Sequence, residues 1–204
     1  MENIKKLPLS FYQRENVLQI AEELMGKLLV TTKGGINTAG RIVECEAYNG
    51  FPDKASHAFG GRRTNRNEIM YSAGGVAYVY LCYGIHHLFN VVTHFKDTPH
   101  AILIRSLEPV KGIKDMLFRT GKKHVDNTFT RGPGNVSKAL GIYTSDSGTP
   151  LTGKNIFLAN DGVTYSKKEI FTSPRIGVDY AGEDALLSYR FYIKGNPFVS
   201  GKPR

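Results

Sequence analysis

The sequence has little material for a metal or redox centre. It contains only two cysteines, Cys45 and Cys82, and neither forms a Cys-x-x-Cys pair or a Cys/His spacing typical of zinc ligands. Both lie in apolar, strand-like runs, which predicts buried free thiols in a reducing compartment. We therefore expect no metal site.

Long apolar runs are also lacking. No stretch approaches the roughly 18 apolar residues that cross a bilayer. The first ten residues, MENIKKLPLS, lack the apolar core of a signal peptide. These absences argue against a membrane partner and a secretory leader, and they predict a cytoplasmic location.

Acidic residues are the third scarce group. The chain has 18 Asp and Glu against 27 Lys and Arg, which gives a formal net charge of +9. A basic surface favours polyanions, because each neutralised phosphate releases condensed counterions. A solvated surface that keeps the protein in solution would explain the same charge. Charge alone leaves both interpretations open.

The apolar pattern predicts one domain, residues 1–204, with an α+β fold. Helices are predicted at 10–26, 109–120 and 134–140, and strands at 28–32, 38–48, 76–83, 86–94 and 101–107. Ser10 and Gln13 fit a capping box at the start of the first helix. A long loop rich in Gly, Asn and Arg, residues 49–75, separates the second and third strands, and loops of this length are usually functional or disordered.

Residues 41–90 concentrate the side chains suited to chemistry. Glu46 and Tyr48 end a strand, His57 follows on the loop, and a basic cluster and an aromatic hairpin come next. An acid, flat rings and phosphate-seeking cations are the parts needed to hold a nucleobase and react beside it. Strand alternation alone would also allow Glu44 and Glu46 to share a solvated face, with the rings serving only in packing.

Seven blocks of sequence carry a resemblance to one enzyme family. They are, in order, ECEAYNGFPDKASH, GGRRTNRN, YVYLCYGIHHLFNVV, IRSLEP, RGPGNVSKALGI, RIGVDYAGE and RFYIKGNPFVS. Together they resemble the alkyladenine (3-methyladenine) DNA glycosylases of the mammalian type, as distinct from the helix-hairpin-helix glycosylases. The resemblance implies a single compact domain with a curved, mostly antiparallel sheet, peripheral helices and a protruding β-hairpin, similar to the C-terminal domain of formyltransferases.

The resemblance implies catalytic roles for two side chains. Glu46 is the second glutamate of the E-x-E-A-Y pattern, and it would activate the attacking water. Arg105, in the R-x-L-E-P block, would help to hold that water, although an arginine beside a buried strand is also commonly a structural ion pair. The backbone at Ile176 and Gly177 resembles a third contributor to the water site. Glu44 is expected to support the scaffold.

The base-binding residues follow from the same blocks. Tyr48 and His57 are expected to stack on opposite faces of a flipped base, and Tyr80 to close the pocket. Asn90 matches a pocket asparagine whose bulk opposes the exocyclic amino group of normal guanine.

Further residues are expected to contact DNA. Tyr83 immediately precedes Gly84 in the hairpin turn, and the resemblance implies that it enters the minor groove, although it could instead cover the end of the core. The arginines of the long loop and the start of the helix at 134–140 are candidates for phosphate contact. These residues are Arg62, Arg63, Arg66, Ser137 and Lys138. Solvated charges and a plain helix start are the alternatives.

The implied function is a monofunctional glycosylase of base-excision repair. It would excise N-alkylated purines of the 3-methyladenine type with water as the nucleophile and leave an abasic site, without a metal or an organic cofactor. Its partner would be double-stranded DNA containing alkylated or deaminated purines, bound by a monomer that is nucleoid-associated if the source is bacterial. The alternatives are a non-catalytic DNA-binding or architectural protein, and an N-glycosidase acting on nucleosides or RNA.

Overall fold

The computed structural model describes residues 4–201, which form a mostly antiparallel sheet with short helices around it. The strands are β1 (Lys5–Lys6), β2 (Leu28–Lys33), β3 (Ile36–Tyr48), β4 (Ala77–Cys82), β5 (His86–Thr93), β6 (His100–Lys111), β7 (Ile156–Asn160), β8 (Ile170–Ser173) and β9 (Arg190–Ile193). The α-helices are α1 (Leu9–Tyr12), α2 (Val17–Leu24), α3 (Ile113–Thr120) and α4 (Pro133–Leu140). The predicted α+β class is confirmed.

The sheet is organised around its two longest strands. Its order is β1-β7-β2-β3-β6-β5-β4, and β9 pairs with both β3 and β8. The apolar side chains of β3 that alternation predicts to share a face, Val43, Cys45 and Ala47, join the main core together with residues of α2 and α4. Glu44 and Glu46, on the opposite face, are also fully buried, so they do not lie on a solvated face of the strand.

A bulge between β3 and β6 sets side-chain directions near the end of β3. Glu44 lies opposite Ser106 and Cys45 lies opposite Ile104, so Arg105 is an extra residue in β6. A bulge bends its strand and re-aims the unpaired residue, and bulges are over-represented beside active sites. Here the extra residue is the arginine that contacts both glutamates of β3.

The prediction of one helix over 10–26 is wrong, because the chain forms two helices separated by a short turn. Asn16 begins the second helix, since its side-chain oxygen accepts a hydrogen bond from the Gln19 backbone N–H at 3.0 Å. Ser10 lies inside α1 and not at its N-cap, so the predicted capping box does not form.

The helix predicted at 109–120 begins four residues later. Strand β6 continues through Pro109, which pairs with Gly40 of β3, and ends at Lys111. Gly112 then adopts a left-handed conformation (φ 72°) that turns the chain into α3. The predicted hairpin, the central strand at 101–107 and the helix at 134–140 are confirmed as β4–β5, β6 and α4.

Candidate active site

The carboxylate of Glu46 is the centre of the site. It is fully buried near the end of β3, and its Oε1 accepts a hydrogen bond from the Ile176 backbone N–H at 2.8 Å. Arg105 Nη1 lies 3.2 Å from the same oxygen. The other oxygen, Oε2, accepts from the Tyr48 hydroxyl at 2.9 Å. We call Glu46, Arg105 and the Ile176 N–H the carboxylate site.

Tyr48 donates to Glu46 as a neutral phenol. Burial raises the pKa of its hydroxyl well above the ordinary value, and the nearby Glu46 charge adds to the effect. On the other side, the Arg175 guanidinium lies 4.8 Å from the centre of the Tyr48 ring. The ring is therefore fixed at its hydroxyl end and at its face, immediately beside the carboxylate.

Arg105 is held by three groups. Its Nε donates to Glu44 Oε1 at 3.1 Å and its Nη2 to the Ser200 hydroxyl at 3.2 Å, while Nη1 faces Glu46. A buried arginine needs such anionic and polar partners. Arg105 therefore does form a structural ion pair, with Glu44, which was the alternative interpretation. The same side chain also contacts Glu46, the candidate general base.

Next to the carboxylate site lies a pocket with about 330 Å³ of empty space, including its open mouth. We call it the base pocket, and its walls are mainly aromatic. It is lined by Tyr48, Ala55, His57, Met70, Tyr78, Tyr80, Asn90, Ala101 and Tyr180. All four side chains expected to hold the base, Tyr48, His57, Tyr80 and Asn90, lie in this lining.

His57 enters the pocket as a neutral ring. Burial is the main cause that lowers its pKa to about 4, and the charges of Arg66 and Arg62 lower it further. Its Nδ1 shares a hydrogen bond of 2.9 Å with the Tyr78 hydroxyl. The ring centre lies 4.7 Å from that of Tyr80. A neutral, hydrogen-bonded imidazole presents a fixed flat surface at pH 7.

Asn90 is oriented by the backbone. Its Nδ2 donates to the carbonyl oxygens of Tyr78 at 3.1 Å and of Leu88 at 3.2 Å. Because two carbonyls accept from the amide nitrogen, the side-chain oxygen is the atom left for a ligand.

The turn that joins β4 to β5 protrudes into solvent. We call Cys82–Ile85 the hairpin tip. Tyr83 (φ 50°) and Gly84 (φ 73°) are both left-handed, and Ile85 N–H donates to the Cys82 carbonyl at 3.2 Å, as in a tight hairpin turn. Tyr83 is 91% exposed and therefore does not cover the core. Cys82 is half-buried, so the expectation of a buried thiol is wrong for it and right for Cys45.

The predicted phosphate-binding residues differ in availability. Arg63 forms ion pairs with Glu68 at 2.6 Å and Asp97 at 2.9 Å, so its charge is already matched by carboxylates. Arg62 and Arg66 are exposed on the same loop.

The two candidate phosphate-binding residues on α4 also differ in exposure. Ser137 is fully buried, so its side chain does not lie where the predicted phosphate contact needs it; it faces inward because it shares the helix face of the buried Val136 and Leu140. Lys138 is exposed. The N-terminus of α4 lies close to the β-hairpin, against His86.

Sequence reasoning missed several residues of the site. Tyr78 orients His57, and Tyr180 lines the mouth of the base pocket with its hydroxyl donating to the Ala55 carbonyl at 3.1 Å. The buried pair of Arg175 with Asp53, at 2.6 Å, anchors the residue before Ile176. The only local signal was position, since Arg175 and Tyr180 flank matched residues in RIGVDYAGE.

Among residues 4–201, no group of three or more His, Cys, Asp or Glu side chains is placed to hold a metal ion. Within the same range, no helix has both the length and the apolar character to span a bilayer.

A buried, arginine-bound carboxylate beside an aromatic pocket, on an antiparallel α+β domain, is typical of an enzyme that acts on a flat, ring-shaped group. The sequence model described as methylpurine-DNA glycosylase matches residues 10–197, and the chain belongs to that family. A protein of Bacillus cytotoxicus is 43% identical over 203 residues, covering 96% of this chain and 99% of its own length. One of Bacillus cereus is 44% identical, covering 96% and 98%. Both carry the provisional name 3-methyladenine DNA glycosylase. The chain is thus a base-excision repair glycosylase, a hydrolase of N-glycosyl bonds.

Proposed function

We propose that this protein is a monofunctional glycosylase that excises N-alkylated purines of the 3-methyladenine type from double-stranded DNA. One observation carries the proposal: Tyr48 lines the base pocket and donates its hydroxyl to the buried carboxylate of Glu46 at 2.9 Å. A base stacked on that ring would place its glycosidic bond within the reach of a water held by the carboxylate.

In the proposed reaction, Glu46 is the general base. It takes a proton from water as the water oxygen bonds to the anomeric carbon of the sugar, and it stabilises the positive charge that develops there. The bond between that carbon and the purine nitrogen breaks, and its electron pair leaves with the base. A cationic alkylated purine departs as a neutral molecule, so strong acid assistance is unnecessary. Arg105 and the Ile176–Gly177 backbone help to hold the water.

Base selection is assigned to the base pocket. Tyr48 and His57 stack on opposite faces of the flipped base, where a cationic purine gains a cation–π contribution of about 0.5–2 kcal/mol. Tyr80 closes the pocket, and Asn90 excludes the exocyclic amino group of normal guanine.

DNA binding is assigned to the surface around the hairpin tip. Tyr83 fills the gap left by the flipped nucleotide, while Arg62, Arg66 and Lys138 contact phosphates and Arg63 contributes less because its charge is matched. The protein acts as a monomer with one domain, in the cytoplasm, and associates with the nucleoid in a bacterial cell. The buried Glu46–Arg105 pair disfavours a purely architectural protein, which would need no such site.

One assay tests the function. Duplex DNA carrying 3-methyladenine or 7-methylguanine, single-stranded RNA with the same methylated bases, and the free methylated nucleosides are incubated separately, and released base is measured. We expect release from the duplex above all. Release from RNA or nucleosides alone, or no release in any arm, would contradict the proposal.

A further inference from the structure

A second buried carboxylate lies behind the carboxylate site. Glu44 has no exposed surface, and its two oxygens accept hydrogen bonds from residues far apart in the chain. The donors are Arg105 Nε at 3.1 Å, Arg190 Nε at 2.7 Å, the Ser106 hydroxyl at 2.8 Å, the Ser200 backbone N–H at 2.6 Å and the Ser200 hydroxyl at 2.8 Å. The carboxylate is thus fully engaged.

Glu44 and Glu46 share one arginine. Arg105 directs Nε to Glu44, Nη1 to Glu46 and Nη2 to Ser200, so every edge of its guanidinium has a fixed partner. Arg190 adds the second positive charge, and two carboxylates face two guanidiniums in this cluster. The buried charges therefore balance, which is what a low-dielectric interior requires.

We propose that Glu44 and Ser200 are positioning residues, which hold Arg105 so that its charge is divided between two carboxylates and its Nη1 stays aimed at Glu46. The inference rests on the proposed function and extends it. Ser200 has a double part: it donates to Glu44 through its N–H and hydroxyl, and its hydroxyl also accepts from Arg105. The C-terminal segment thereby contacts both Glu44 and the arginine that faces Glu46.

The division of charge matters for catalysis. Without the Glu44 charge, Arg105 would interact with Glu46 alone, which favours the ionised form of that carboxylate at lower pH but makes it a weaker base toward water. A scaffold residue would instead change how much protein folds and leave the pH dependence of the reaction where it is. The pH profile consequently separates a positioning role from a structural one.

Other groups facing Glu46 do not titrate in the acid range. They are the guanidiniums of Arg105 and Arg175, the latter paired with Asp53, and the side chains of Tyr48, Tyr80, Tyr180 and Cys45. Burial raises the pKa of each of the three phenols and of the thiol, so all four stay protonated as the pH falls. In the base pocket, His57 also titrates in acid, because burial lowers its pKa to about 4, but it is present in the wild type and in a Glu44 variant alike. On a cationic lesion, which needs no protonation, the difference between the acid limbs of the two proteins therefore reports the change at Glu44.

The main experiment compares Glu44→Gln with the wild type in single-turnover excision of 7-methylguanine from duplex DNA over a range of pH. We expect the plateau rate to fall at least about 10-fold and the acid limb to move about one unit to lower pH. A lower rate with an unmoved acid limb would overturn the positioning role, as would a profile identical to that of the wild type.

A milder pair of variants covers the case in which Glu44→Gln does not fold. Ser200→Ala removes the hydroxyl that contacts Arg105 and Glu44 but keeps the backbone bond to Glu44. Ser173→Ala is the matched control, because the Ser173 hydroxyl contacts Arg190 and not Arg105. We expect Ser200→Ala to excise about 10-fold more slowly with unchanged lesion affinity, Ser200→Thr to recover part of the rate, and Ser173→Ala to match the wild type.

Equal rates for the two alanine variants would overturn the inference. So would an equal loss of affinity and rate in Ser200→Ala, which indicates general loosening of the pocket. A wild-type protein that releases no base from duplex DNA would instead overturn the proposed function itself, so the two failures are distinguishable.

Discussion

The carboxylate site and the hairpin tip are built in opposite ways. Glu46 is fully buried and each of its oxygens accepts a hydrogen bond, whereas Tyr83 at the hairpin tip is 91% exposed. Catalytic groups need fixed geometry, which interior strands supply. A group that must enter DNA needs to be accessible and to project from a narrow part of the protein. The fold thus separates the chemistry from the duplex contact.

The largest effect should come from a substitution in the buried carboxylate site. Arg105→Met would leave Glu44 and Glu46 buried without their shared cation, and removing one partner of a buried pair costs about 3–5 kcal/mol. We expect a loss of that size in the free energy of unfolding, measured by urea denaturation.

Arg63→Met is the control for that change, because Arg63 also has two carboxylate partners but is half exposed. Solvent screens such surface pairs, so we expect Arg63→Met to change the free energy of unfolding far less than Arg105→Met does. If the two substitutions destabilised the protein equally, burial would not distinguish the two regions.

The next effect concerns Tyr48, which lines the base pocket and contacts the carboxylate site through its hydroxyl. Replacing Tyr48 with Leu removes a stacking face, and we expect lesion affinity to weaken by about 1–3 kcal/mol in a binding titration. Tyr48→Phe keeps the ring and loses the hydroxyl that donates to Glu46. It should bind the lesion almost normally and excise it several-fold more slowly. Equal damage to affinity by both variants would contradict the stacking role.

A smaller effect is expected at the hairpin tip. Tyr83→Ala should preserve the fold, because the side chain is exposed, and it should slow excision from duplex DNA more than from single strands. The ratio of single-turnover rates on the two substrates measures the effect. If that ratio were the same in the wild type and the variant, Tyr83 would not be the group that fills the gap.

The smallest effect concerns the arginine loop. Arg62→Ala should weaken DNA binding nearly uniformly and reduce the slope of log affinity against log salt by about 1, as expected for one lost phosphate contact. Arg63→Ala should change the slope much less, because Glu68 and Asp97 already match its charge. Titrations at several salt concentrations test this, and a larger change for Arg63 would reverse the assignment.

Local pattern was enough to predict the parts of the fold that depend on nearby residues. The hairpin, the central strand β6 and helix α4 with its flanking glycines were all identified from sequence. The break between α1 and α2 was not, because the Asn16 cap outweighed a continuous apolar pattern. The extension of β6 through Pro109 depends on its pairing with Gly40 in another strand.

The candidate site, like the fold, could be predicted from the sequence only in part. The family resemblance named Glu46, Arg105, Tyr48 and His57, and the structure brings them together around one pocket and one carboxylate. The resemblance did not reveal the partners of Glu44, which lie 61, 62, 146 and 156 residues away in the chain. Contacts between such distant residues leave no local periodicity, so only the three-dimensional structure shows them.

The central claim is that the buried carboxylate performs the chemistry while the other regions hold the DNA. The most direct measurement compares Glu46→Gln with the wild type on one duplex containing 7-methylguanine, with lesion binding and single-turnover base release recorded on the same preparations. We predict near-normal binding and a rate at least about 10²-fold lower, the low end of general-base effects. Base release by Glu46→Gln at close to the wild-type rate would contradict the account.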